Sequence, residues 1–186
     1  TSDFLKPDPT FWKDIGLVVQ QLEIPFETVD AIGRMALSFD VPVLLNAAPA
    51  AKIPKSWWDW INMLVVNEVE ASALTGLEIQ HPQDAEIAAQ QLHKHCRNVL
   101  ITLGETGVLL CNVEGVDHLQ AYRVPVVSTL GAGDAFVGVL AAEWVGHQNL
   151  RQAAEQANRA AAASVQRSGA QVSYVRREEF KNWGLA

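Results

Sequence analysis

The stretch STLGAGDAFVG, residues 128–138, sets three glycines and an aspartate where an apolar run gives way to a helix-like pattern. Ligands of open α/β sheets bind beyond the carboxyl ends of the strands. A helix that starts there offers unpaired N–H groups and a partial positive charge, which together make an anion site. Gly131 and Gly133 allow the backbone to approach such an anion with no Cβ in the way. Asp134 falls in the first helical turn, where the helix dipole favours a negative charge. A carboxylate beside a cluster of N–H donors is what phosphoryl transfer to an alcohol requires: the carboxylate takes the hydroxyl proton while the donors hold charge on the moving group. Other glycine loops fit less well. A Walker A loop needs Gly-Lys followed by Ser or Thr, and a dinucleotide fingerprint needs glycine where Phe136 stands. Taken alone, the segment also reads as a strand-to-helix turn whose aspartate merely caps the helix.

Working outward, strand-like and helix-like segments alternate. Residues 15–20, 41–46, 62–67 and 98–104 read as short, nearly continuous apolar strands. Residues 27–39 read as an amphipathic helix, and 68–75 as a short one ended by Gly76. The run PQDAEIAAQQLHKHC is a longer helix. Residues 106–112 and 119–124 suggest antiparallel additions to the sheet. Helices are predicted over about 133–146 and, capped by Asn149, about 150–167, with REEFKNWG as a short closing helix. Such an alternation predicts an α/β fold, a mostly parallel sheet with helices on both faces. The three tryptophans of KSWWDWINM (55–63) read as a packing helix under the sheet, with an interface patch at Trp57–Trp60 as the alternative.

Bulk properties narrow the function. A chain of 186 residues suffices for a single domain over residues 1–186 with a real core. The net charge of −7 argues against nucleic acid or an anionic membrane as main partner, since both want a basic face. Cys96 and Cys111 are too few for a disulfide framework or a thiolate zinc site, so a reducing, cytoplasmic setting is expected. No apolar run approaches the roughly 20 residues of a membrane span, and the start TSDFLKPDPTFWKD lacks a secretory profile. His93 and His95 fall on different faces of their helix, which argues against a shared metal.

Residues 128–138 resemble the D-T-x-G-A-G-D-x-F-x-G signature of the ribokinase-like carbohydrate kinases, and other segments match that family in the same order. LVVQQLEIPFETV resembles its segment that brings a glutamate toward the sugar, and VLLNAAPA its N-P-A-P strand end. VVNEVEASALTG resembles N-x-x-E before a Leu-Thr-Gly turn, VLITLGETGVLL the T-L-G-x-x-G hairpin, and NRAAAASVQRSGAQVS the late helix and nucleotide loop. The resemblance covers about residues 15–180 and implies a sugar or nucleoside-like hydroxyl as acceptor, ATP as donor and Mg2+ as cofactor. It makes Asp134 the general base, the amides of Gly131, Ala132 and Gly133 the anion hole, and Thr102 and Gly104 contacts of the nucleotide phosphates. Asn158 matches a position near the adenine, and Glu23 one on the sugar side. Asn67 and Glu70 would arrange magnesium and phosphates through water, although Asn followed by Glu three residues later is also a capping box.

Three departures qualify the resemblance. Ser128 stands where the family has an aspartate that helps bind a monovalent cation, which argues against potassium activation despite Ser173; VSYV (172–175) lacks the usual proline. Nothing matches the family's N-terminal portion with its glycine pair, sugar-gripping aspartate and β-lid, so the C-terminal, nucleotide-binding part alone is expected. A homodimer or a partner chain should then cover the bared sheet edge or the Trp57–Trp60 patch. The competing expectation is a non-catalytic truncated kinase fold that binds nucleotide or a protein partner; a dehydrogenase is more distant.

Overall fold

The structure, a computed structural model, describes residues 9–182. Its backbone contacts divide the chain into two compact units. The first takes in the described chain up to Ile101 together with Leu109–Asp117; the second takes in Thr102–Val108 and the described chain from His118.

The first unit carries the sheet. Six strands lie in the order β1 (Val18–Gln20), β2 (Val43–Asn46), β3 (Met63–Asn67), β4 (Asn98–Thr102), β5 (Val108–Asn112) and β6 (Gly115–Leu119), of which only terminal residues belong to the second unit. β1 pairs with β2 and β2 with β3 in parallel, with Val19 opposite Leu44 and Leu45 opposite Leu64. Successive residues Val43, Leu44 and Leu45, and likewise Met63, Leu64, Val65 and Val66, are buried, so both faces of these strands are covered. Continuous rather than alternating burial is what a parallel sheet between helices demands. β4 and β5, and β5 and β6, are neighbours joined by connections too short for a crossover, which makes those pairs antiparallel.

Helices of this unit follow their apolar spacing. In α4 (Pro82–His93), Ala85, Ala88, Ala89 and Leu92 form one buried stripe at helical period. α3 (Glu68–Thr75) ends on Gly76 in the left-handed conformation, as its sequence predicts. α1 (Pro9–Trp12) buries Trp12, which stacks on Phe39 at 5.5 Å. α2 (Phe26–Ser38) buries Val29, Gly33 and Ala36. Gly33 faces the Trp60 indole so closely that a Cβ there would collide with the ring.

The tryptophan segment is a 3₁₀ turn, Lys55–Asp59, rather than an α-helix. Trp57 and Trp60 are 2% and 1% exposed and lie 5.3 Å apart; Phe26 packs on Trp57, and the Trp60 N–H donates to Asp30. Packing therefore explains these residues. The interface-patch alternative thus loses Trp57 and Trp60, which are spent in the core, whereas Trp58 between them stays partly exposed with its ring 5.5 Å from that of His95.

The second unit is built on α5 (Ala132–His147) and α6 (Leu150–Ser164), which pack against each other. Ala153, Ala154, Ala157, Ala160 and Ala163 line the buried side of α6, and residues this small allow close helix approach. Asn149 caps α6 by accepting the Gln152 amide at 3.0 Å, as expected. α7 (Arg177–Asn182) is the closing helix; the remainder of its predicted segment, Trp183 and Gly184, lies outside the described residues.

One strand is corrected. The alternation of residues 119–124 predicts an edge strand there, but β6 ends at Leu119. The Asn112 side chain accepts the Glu114 amide at 2.8 Å and turns the chain at once, so pairing starts at Gly115 and is complete before Ala121. Among the described residues, no helix is long and apolar enough to cross a membrane.

Candidate active site

The second unit carries a cleft of about 1010 Å³, at the upper end of what small-molecule sites occupy. Thr102, Gly104 and Thr106 form part of its wall, with Tyr122 and Arg123 from the segment after β6. Thr129, Ala132 and Gly133 contribute from the start of α5, and Asn158 and Val165 from α6 and its end. Apart from Arg123 and Glu105 the lining is uncharged, and Val124, Val126, Phe136 and Ala162 make much of it apolar.

α5 begins at Gly131, whose φ of +79° is left-handed backbone. A Cβ there would also lie 3.2 Å from Ala170 Cα and from the Tyr174 ring, so glycine is required by both conformation and packing. Gly133 is different. Its backbone is helical, and a Cβ would meet nothing within 4 Å. Gly138 and Gly146 of the same helix have equally open space beside them, and what sets Gly133 apart is its place on the cavity wall at the first turn.

The first-turn amides of a helix have no partner within it. Of the three expected to bind an anion, that of Ala132 donates to the Thr129 carbonyl at 3.2 Å. Asp134, next along, is exposed, and its Oδ2 accepts a hydrogen bond from the Tyr174 hydroxyl at 3.3 Å. Loss of solvent raises the Tyr174 pKa, and the negative charge of Asp134 and the bond to it raise it further.

Asn158 lines the cavity, is 7% exposed, and donates through Nδ2 to the Gln120 carbonyl at 2.8 Å. This bond straps the segment carrying Tyr122 and Arg123 to α6, making Asn158 a wall-builder as well as a lining residue. Thr102 and Gly104, to which the resemblance gives the nucleotide phosphates, both line the cavity. Sequence reasoning missed Tyr122 and Arg123 because it assigned them to a strand.

The other expected residues lie in the first unit. Asn67 ends β3 and caps α3: its side chain accepts the Glu70 amide, while the Glu70 carboxylate accepts the Asn67 backbone amide at 2.9 Å and its side-chain amide at 3.1 Å. The reciprocal cap is thus formed. Burial raises the Glu70 pKa above its ordinary value, and the bonds from Asn67 only partly oppose this. Glu23 is exposed in the loop after β1.

Among the described residues no group of three or more His, Cys, Asp or Glu side chains could hold a metal. Magnesium accompanying a nucleotide needs only one or two carboxylates besides phosphates and water. With both Glu70 oxygens engaged in the cap, this residue suits a water-mediated contact. Ser128 accepts the Leu130 amide at 3.3 Å, a neutral turn where the resemblance leads one to expect a carboxylate; Ser173 is fully buried and donates to the Ala170 carbonyl.

Comparison with known proteins follows the same lines. Residues 16–176 match the family model of the pfkB family carbohydrate kinases. The chain is 34% identical over 164 residues to a ribokinase of Staphylococcus aureus, covering 87% of this chain and 54% of that one. It is 35% identical over 173 residues to a deoxyribokinase of Salmonella typhi, covering 92% and 56%. Among solved structures, an Arabidopsis thaliana ribokinase complexed with ribose and ATP superposes with a TM-score of 0.86 at 28% identity, over 94% of this chain and 57% of that one. The chain therefore spans about half the length of the relatives it matches.

Proposed function

From a chain that belongs to the pfkB family of carbohydrate kinases, we propose ATP-dependent phosphorylation of a sugar or nucleoside-like hydroxyl, with chemistry centred on the start of α5. The observation that carries this reading is Gly133: a helical glycine with open space where a Cβ would be, on the wall of a nucleotide-sized cavity and one residue before an exposed carboxylate.

In this reading the apolar part of the cavity takes the base, and Thr102 and Gly104 meet the phosphates. The amides of Gly131 and Gly133 receive charge from the transferred phosphoryl group; that of Ala132 joins them by sharing its long bond to Thr129. Asp134 accepts the acceptor's hydroxyl proton as its oxygen attacks the γ-phosphorus, and ADP departs with the electron pair of the broken bond. Magnesium, when bound, neutralises phosphate charge. The roles given to Asn67 and Glu70 around it, and to Glu23 on the sugar, rest on the family resemblance alone.

The test is ADP release from the protein with ATP, magnesium and a panel of sugars. Sugar-dependent release is expected, and Asp134→Asn should lower it by at least about 10²-fold, the lower range for a general base, while ATP binding is kept. A D134N protein that turns over like the unaltered chain defeats the reading. A second reading, nucleotide binding without transfer, is favoured by one observation: every lining residue of the cavity comes from the second unit. ATP binding with no sugar-dependent ADP release would support it.

A further inference from the structure

We propose that Tyr174 positions the general base: its hydroxyl donates to Oδ2 of Asp134 and fixes the carboxylate's orientation at the start of α5. The inference rests on the kinase reading for its catalytic meaning, but the contact itself does not.

The geometry shows which partner restrains which. Asp134 is exposed, whereas Tyr174 is half-buried and seated. Its ring lies against Gly131, where a Cβ would stand 3.2 Å from both Cε1 and the hydroxyl oxygen. It follows directly on a 3₁₀ turn, Gln171–Ser173, and its amide donates to the Gln171 carbonyl at 3.3 Å. Ser173 anchors that turn: it is fully buried, and its hydroxyl donates to the Ala170 carbonyl at 2.6 Å. The turn thus holds the ring, and the ring's hydroxyl holds the carboxylate. The missing Cβ of Gly131 is what lets the two segments approach.

The arrangement suits a base. A carboxylate has about four lone-pair sites, so one donated bond orients it without consuming its capacity to take a proton. Tyr174 keeps its own proton throughout; the proton that moves goes from the acceptor hydroxyl to Asp134. The environment of Tyr174 agrees, because lost solvent and the neighbouring negative charge both favour its neutral, donating form.

Two measurements on the full chain test this. The protein has two tyrosines, Tyr122 and Tyr174, so tyrosine labelled with 13C at Cζ gives two NMR signals that Tyr122→Phe assigns. Asp134→Asn should lower the pH at which the Tyr174 signal titrates; an unchanged titration shows that the contact is absent in solution and overturns the proposal. In the kinetic arm, Tyr174→Phe should reduce kcat about 10-fold, as loss of alignment does, with the KM for ATP and the melting temperature unchanged. Unaltered kcat, or a KM effect alone, overturns the positioning role. If the unaltered chain releases no ADP with any sugar, the kinase reading fails and takes the catalytic role with it, while the titration still judges the contact.

Discussion

At Glu70 two demands meet on one side chain. A buried carboxyl with a raised pKa in an α/β kinase fold is the kind of group that marks a functional site. The same carboxyl completes a reciprocal cap with Asn67, which explains both residues without any ligand. Stability separates the contributions. Because burial raises the folded-state pKa above 4.5, the group favours folding at pH values below 4.5 and loses that contribution as pH rises through its folded pKa. Glu70→Gln keeps a side chain suited to a capping box but cannot ionise. The stability of the wild type relative to E70Q should therefore be greater at pH 4 than at pH 7, measured by denaturant melts. Parallel curves would show that the buried charge carries no cost. Asn67→Ala should lose about 1 kcal/mol, the usual worth of an N-cap, and more at pH 7 than at pH 4, because its side-chain amide also supports the ionised Glu70.

Elements here are held as much by fit as by propensity. α2 carries glycine in its middle, against its own helix propensity, because the Trp60 indole occupies the space beside it. Trp60 is 1% exposed and hydrogen-bonded to Asp30 on the same helix, so the ring cannot swing away. Gly33→Ala would gain up to about 1 kcal/mol of helix propensity but incur about 1–3 kcal/mol of overpacking. The packing effect should win, lowering Tm by a few degrees at about 2–4 °C per kcal/mol for a chain of this size. A G33A protein that melts at or above the wild type would show that the indole yields. The same logic of fit relocates β6: an Asx turn at Asn112 sets the pairing early, and residues 121–124 become cavity wall instead of strand.

At the scale of the molecule, the sheet of the described residues ends on β1, a strand of three residues whose Val19 is 45% exposed. An open edge offers unpaired backbone groups to another chain. We propose this edge as the surface of the homodimer that the sequence leads one to expect. Light scattering at micromolar concentration should give twice the mass of the chain, and Val19→Lys, a charge placed on the edge, should shift the protein toward monomer. A monodisperse monomer before substitution contradicts the proposal.

What could be read from residues in order was whatever local physics encodes. The apolar strands at β2, β3 and β4, the cap at Asn149, the left-handed stop at Gly76 and the glycine-bent start of α5 each follow from period or backbone freedom within a few residues. Tertiary packing alone decided the rest. It buried Trp57 and Trp60, bonded Asn158 to a carbonyl 38 positions away, and set the Tyr174 hydroxyl on Asp134 across 40 positions. Such meetings depend on how distant segments are brought together, and no periodicity along a chain records which side chains will then stand within 3 or 4 Å of one another.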